Sequence, residues 1–224
     1  MTQTERHAMK TDAALQREVE AELAWDPAVR STAIGVAVRD GVVTLSGHLD
    51  TYAEKWAAED ALRRVNGVKA IALELDVKIA RDHQRSDTDI ANAAEQSLQW
   101  HSQVPAEALR ITVDKGWVLL EGEVDWEFQR RSVEQAVRNL KGVVGMSNKI
   151  TIKQQAAPAD VALRIQDALT RQVERETRRM DIQVHAGTVT LRGTVHSLHE
   201  RDAAVAAAWA APGVSRVVNE LVIG

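Results

Sequence analysis

Val38-Arg-Asp-Gly41-Val-Val-Thr-Leu-Ser-Gly47 is a phrase that this chain uses three times. It returns as Val113-Asp-Lys-Gly116-Trp-Val-Leu-Leu-Glu-Gly122 and as Val184-His-Ala-Gly187-Thr-Val-Thr-Leu-Arg-Gly193. The anchor glycines Gly41, Gly116 and Gly187 lie 75 and 71 residues apart, and 26 residues after each stands a second shared dipeptide, Gly67-Val68, Gly142-Val143 and Gly213-Val214. One module is therefore repeated, and a tandem array points to binding or scaffolding rather than to a single catalytic cleft.

Reading outward from the anchor glycine, the three copies share one pattern. Before it, Ile34, Val36 and Val38 match Leu109, Ile111 and Val113 and then Met180, Ile182 and Val184 with period two, the signature of a half-buried strand. Asp40-Gly41, Lys115-Gly116 and Ala186-Gly187 read as tight turns in which glycine supplies a positive φ. A second strand points Val43 and Leu45, Val118 and Leu120, and Val189 and Leu191 inward. Upstream, Leu15 and Leu23, Ile90 and Leu98, and Val161 and Leu169 mark one face of a first helix, with Asp12, Asp87 or Asp89, and Asp160 at its start as capping carboxylates. Downstream, Ala58, Ala61, Leu62 and Val65 and their counterparts form the apolar stripe of a second helix. Gly67, Gly142 and Gly213 are expected to cap its C-terminus, and a last strand runs through Leu75 and Val77, Ile150 and Ile152, Leu221 and Ile223. The expected class is α+β: three α-β-β-α-β modules over residues 10–80, 86–153 and 158–224, each a three-stranded mixed sheet with two helices on one face.

Composition narrows the function classes. The chain has 224 residues, 45% of them hydrophobic and 27% charged, which is the balance of a folded protein. A module of about 70 residues buries only about 60% of its unfolded surface, so each gains from docking on its neighbours. Net charge is −3 over residues 1–80, −1 over 81–153 and 0 over 154–224, so no module carries the basic face that nucleic-acid binding needs. There is no cysteine, hence no disulfide, thiolate metal site or cysteine nucleophile. No run of about 20 apolar residues spans a bilayer, and the polar N-terminal stretch lacks a signal-peptide core. A cytoplasmic protein is expected, or a periplasmic one if a leader was removed.

The phrase Val-x-x-Gly-x-Val-x-Leu-x-Gly, followed by Gly-Val and then by Val-x-Asn before an apolar strand, resembles the BON domain (bacterial OsmY and nodulation). Asn148 and Asn219 fit the asparagine of that pattern, and Leu73 replaces it in the first copy. Relatives of this type include periplasmic osmotic-stress proteins, outer-membrane lipoproteins that bind anionic phospholipid, and a potassium-binding cytoplasmic protein. The resemblance implies a non-enzymatic stress protein with no cofactor, binding anionic phospholipid or an envelope protein. The alternatives are a self-assembling scaffold and a potassium-binding protein.

Candidate contact residues come from comparing the copies. Outward sheet positions are polar to acidic in the first and third, including Glu74, Asp76, Asp181 and Glu220, but hold Arg110, Trp117, Leu119 and Lys149 in the second. That face is expected to dock on repeat one or three, on a second copy, or on an anionic headgroup. Trp126 and Phe128, with Arg130 and Arg131 behind them, have the amphipathic character of a membrane-interface or packing contact. Lys55, Arg130 and Arg201, each preceded by Glu54, Gln129 or Glu200, read as a solvated helix face. Trp25 and Trp100, which end the first helices, are expected to lid the core. His185, His196, His199 and Glu200 are too few to assure a metal site.

Overall fold

The structure is a computed structural model that describes residues 10–153, 161, 165 and 180–223. Repeat one runs α1 (Asp12–Trp25), β1 (Ile34–Arg39), β2 (Val42–Leu49), α2 (Tyr52–Arg64) and β3 (Ala70–Val77). Repeat two runs α3 (Asp87–Gln99), β4 (Leu109–Asp114), β5 (Trp117–Val124), α4 (Glu127–Arg138) and β6 (Gly145–Ile152). Repeat three shows β7 (Met180–His185), β8 (Thr188–Val195), α5 (Leu198–Trp209) and β9 (Arg216–Ile223). Val161 and Ile165 are helical and fully buried in the third core, while Asp160 and Leu169 lie outside the described residues.

Each sheet has its second strand in the middle, antiparallel to the first and parallel to the third. The mixed α+β module is as the alternation predicts. Val43, Leu45 and Leu49 point from β2 onto Leu15, Val19 and Leu23 of α1 and Ala58, Ala61 and Leu62 of α2, and all nine are essentially solvent-free. The same positions build a second core around Val118, Leu120 and Val124 and a third around Val189, Leu191 and Val195.

Two details explain the strict spacings. At each hairpin both turn residues have positive φ, Asp40 at 53° and Gly41 at 81°, with Lys115 and Gly116, and Ala186 and Gly187, alike. Such a turn aims successive N–H groups outward, and a carboxylate from the first helix collects them. Asp12 accepts from Asp40 N–H at 2.9 Å and Gly41 N–H at 3.2 Å, and Asp87 accepts from Lys115 and Gly116 N–H at 2.8 Å each. These aspartates therefore hold the hairpin, while Thr11 and Ser86 cap the helices. The second glycines are not helix caps either. α2 ends on Val65 and α4 on Asn139, and Gly67 and Gly142 follow at φ 98° and 93° in the turn to the last strand. That turn packs on the hairpin: a Cβ on Gly116 would come within 2.6 Å of the Gly142 carbonyl oxygen. Lys69, Val144 and Ser215 donate their N–H to the carbonyls of Gly41, Gly116 and Gly187 at 2.9, 3.0 and 2.9 Å. The 26-residue interval is the path between two backbone segments that touch.

Replacing Asp87 by Ala strands two turn N–H groups, and a loss of about 1–2 kcal/mol is expected in a urea titration. Asp87→Asn, which keeps one acceptor oxygen, should lose less.

Candidate functional site

The second helices bring the three repeats together. On α2, α4 and α5, Trp56, Arg131 and Asp202 occupy one corresponding position, and Arg63, Arg138 and Trp209 another. At each junction the second position of one helix meets the first position, or its neighbour, on the next. Arg138 stacks its guanidinium 3.5 Å from the ring centroid of Trp56. Arg63 donates to Asp202 at 2.8 Å, and Trp209 lies beneath the guanidinium of Arg130 at 5.1 Å, with Arg131 beside it. The cycle closes: two contacts repeat one, one contacts three, three contacts two. The first residue of each of these helices keeps the same order: Tyr52 packs on the second core, Leu198 is buried in the first, and Glu127 is buried beside Trp209 at the seam with the third. Related contacts closing in order define an approximate threefold ring.

Two seams are closed by a guanidinium over an indole and one by an ion pair. Burial holds the Arg138 guanidinium below its ordinary range, against the pull of Glu134, Tyr52 and Asp60. Burial also acts on Arg63, but hydrogen bonds to Glu59 and Asp202 leave it above its ordinary value. Glu127 is clasped by Arg130 and Arg131, at 2.8 and 3.2 Å. Burial raises the Tyr52 phenol above its usual range, and Glu134 and Glu59 push it further.

The candidate residues fall into two places. Trp126, Phe128 and Arg130 come together at the seam between repeats two and three, where Trp126, Phe128, Arg131 and Trp209 line an open cavity of about 230 Å³. Trp126 stands where the other repeats have the capping Thr51 and Ser197, and the amide oxygen of Gln129 accepts instead from the Asp125 and Trp126 N–H groups, both at 3.0 Å. Arg110, Trp117 and Lys149 are exposed on the outer face of the second sheet, and Leu119 is half-buried there. The expected docking of this face on repeat one or three does not occur: the helices occupy the seams and leave the sheet outside. Trp117 is 49% exposed, lies flat over Gly145, and donates its indole N–H to Ser147 at 3.1 Å.

Two further expectations are corrected. Glu54 and Glu200 are fasteners rather than members of a solvated face, since Glu54 accepts from the Arg30 and Asp50 N–H groups and Glu200 from that of His196. Lys55 reaches the Leu75 carbonyl at 2.7 Å and Arg130 lies in a seam. Trp25 and Trp100 do not lid the core: they project from the ends of α1 and α3 with 83% and 87% exposure. Among the described residues, no three His, Asp or Glu side chains converge on a point where a metal could sit.

The sequence pattern of the BON domain matches this chain over residues 11–79, 86–154 and 159–224. The chain belongs to the BON domain family. Each BON copy contains one hairpin phrase and one ring helix. Osmotically-inducible protein Y of Escherichia coli (strain K12) is 27% identical over 146 residues, covering 63% of this BON chain and 73% of its own length. Among solved structures, the chain is similar to CdsD, a structural protein of the type III secretion system of Chlamydia trachomatis, at 13% identity and a TM-score of 0.25, with 93% of this chain and 91% of that one covered. The C-terminal domain of CdsD aligns at 14% identity and a TM-score of 0.26, with 96% and 100% covered.

Two outcomes test the ring. Arg138→Ala should lower stability by about 1–2 kcal/mol through loss of a desolvated cation–π contact, measured by urea unfolding. Tyr52 is the single tyrosine, so phenolate absorbance reports on it alone. Its folded-state value is raised, so the proton is held more tightly in the folded chain than in the unfolded one. The resulting stability is intact below about pH 10 and is lost as pH rises through the folded value. A phenolate midpoint above 10, with Tyr52→Phe removing the alkaline loss of stability, is expected.

Proposed function

We propose that this BON chain is a non-enzymatic osmotic-stress protein that binds a phospholipid membrane surface through the paired indoles of Trp25 and Trp100. The stress assignment is supported by family membership and by the likeness to the E. coli protein named for osmotic induction. The observation that carries the surface assignment is the exposure of the two tryptophans, 83% and 87%, at corresponding ends of α1 and α3. The ring relates corresponding positions by rotation about one axis, so both indoles reach the same side of it. An indole offers an apolar body and a polar N–H, which suits the zone between headgroups and acyl chains.

Charge around the indoles decides the lipid type. Trp25 shares its surroundings with Glu18, Glu22 and Asp26, and the nearby cations Lys10 and Arg64 are already paired to those carboxylates. Such a site is not drawn to anionic headgroups, and its attraction to lipid is apolar. Insertion into zwitterionic bilayers is the form this reading takes, and it differs from the anionic preference implied by resemblance. An envelope protein that covers the same indoles is the other occupant the geometry suits.

Burying on the order of 100 Å² per indole contributes about 2.5 kcal/mol each. Flotation with phosphatidylcholine vesicles should therefore recover the chain, with little change at high salt. Trp25→Ala with Trp100→Ala should reduce recovery at least tenfold while leaving the thermal midpoint in place. Wild-type chain that fails to float, or a double variant that floats equally well, overturns the reading.

A further inference from the structure

The outer faces of the second and third sheets carry opposite charges in register. On the second, strand pairing aligns Arg110 with Glu121 and Glu121 with Lys149, and all three side chains point away from the core. Across the three strands this row reads plus, minus, plus. On the third, the same row is Asp181, Arg192 and Glu220, which reads minus, plus, minus. The first sheet has Gly35, Ser46 and Glu74 there and offers one charge only. No hydrogen bond or ion pair engages the side chains of Arg110, Glu121 or Lys149 among the described residues.

Two rows further along, the second sheet has Asp114, Trp117 and Gly145, and the third has His185, Thr188 and Arg216. When two sheets meet face to face with strands running the same way, the strand order is reversed across the interface. β4 then lies opposite β9, β5 opposite β8 and β6 opposite β7. Arg110 faces Glu220, Glu121 faces Arg192, Lys149 faces Asp181, and Asp114 faces Arg216. Every charge in these rows finds its opposite. The antiparallel arrangement instead sets Lys149 against Arg216 and Asp114 against Asp181. Two second sheets paired the same way round oppose Arg110 to Lys149 and Glu121 to itself, and the other way round they match Arg110 with Asp114 but leave Glu121 and Lys149 without an opposite charge. One partner in one orientation matches the most opposite charges.

We infer that the outer face of the second sheet docks on the outer face of the third sheet of another copy of this chain. Intramolecular pairing is precluded because the ring helices hold the two sheets apart, with both faces turned to solvent. The contact joins two different surfaces, so it propagates head to tail into an open chain of copies or a closed ring. Leu119 and Val218 supply the apolar part between the charged rows, with Trp117 in the second row and Val222, 64% exposed, beyond the first. Three strands of six residues present a face of about 20 by 15 Å. Two such faces cover on the order of 600 Å², below the range of stable specific interfaces, so assembly is weak and depends on concentration. The inference stands apart from lipid binding, because Trp25 and Trp100 take no part in it.

Sedimentation velocity over a concentration series tests it. The mean mass should rise with concentration at low salt and fall back as salt is added. Arg110→Glu with Lys149→Glu should weaken association at least tenfold, and so should Asp181→Lys with Glu220→Lys. Mixing these two variants restores complementary faces on both molecules and should restore assembly. Circular dichroism and melting like those of the wild type confirm that the exposed substitutions leave the fold intact. A monomer at every concentration, unchanged assembly in either variant, or no recovery on mixing overturns the inference.

Discussion

The carbonyl of the hairpin glycine is where this module closes. It accepts the N–H of Lys69, Val144 or Ser215 as the chain leaves its second helix and starts the parallel strand. The opposite side of the same turn is held by an aspartate from the first helix in the two repeats where that helix start is described. A βαβ-like return must bring its third strand back at a fixed height, and here the height is set by backbone against backbone, with no side chain between. A longer side chain or a shifted register at this point would misplace the parallel strand and the second helix together.

That helix then serves two cores. Its Ala58, Ala61 and Leu62 face, or the equivalent, is spent on its own sheet, and the adjoining face makes the ring. Three seams of the same geometry are closed by a stacked guanidinium, an ion pair and a second guanidinium over an indole. Exposed ion pairs are weak and salt-sensitive, whereas stacking against a tryptophan depends less on ionic strength. The seam between repeats one and three therefore differs from its two counterparts in how it responds to a concentrated solution. Ile223 packs against both the first and third cores and adds an apolar contact at that same seam.

Much of the module was legible because its rules are local. Alternation in Ile34, Val36 and Val38, the stripe on α2, and the turn glycines each follow from backbone geometry over a few residues. The ring was not legible, although its signal was present: Trp56 lies at one repeated position, and Arg138 and Trp209 at another, on helix faces that would otherwise be solvated. Nothing local distinguishes an arginine in water from an arginine on a tryptophan of another repeat. The same limit hid the roles of Asp12 and Glu54, whose acceptors serve turns 28 and 24 residues away. Sheet parity did single out Arg110, Trp117, Leu119 and Lys149 correctly as one outward face, but Glu121 between them was passed over. The alternating row appears only once strand register is known.

A linear stack of repeats has two ends, and each end unit has one neighbour. Such arrays lose order from their ends, with stability that is a sum of units and interfaces. Here the last repeat returns to the first, so every repeat has two neighbours and none is terminal. Opening one repeat breaks two seams at once, and the strain is shared by the remaining pair. The three copies thus behave as one cooperative body, and the order in which they are strung along the chain matters less than the fact that the circle is complete.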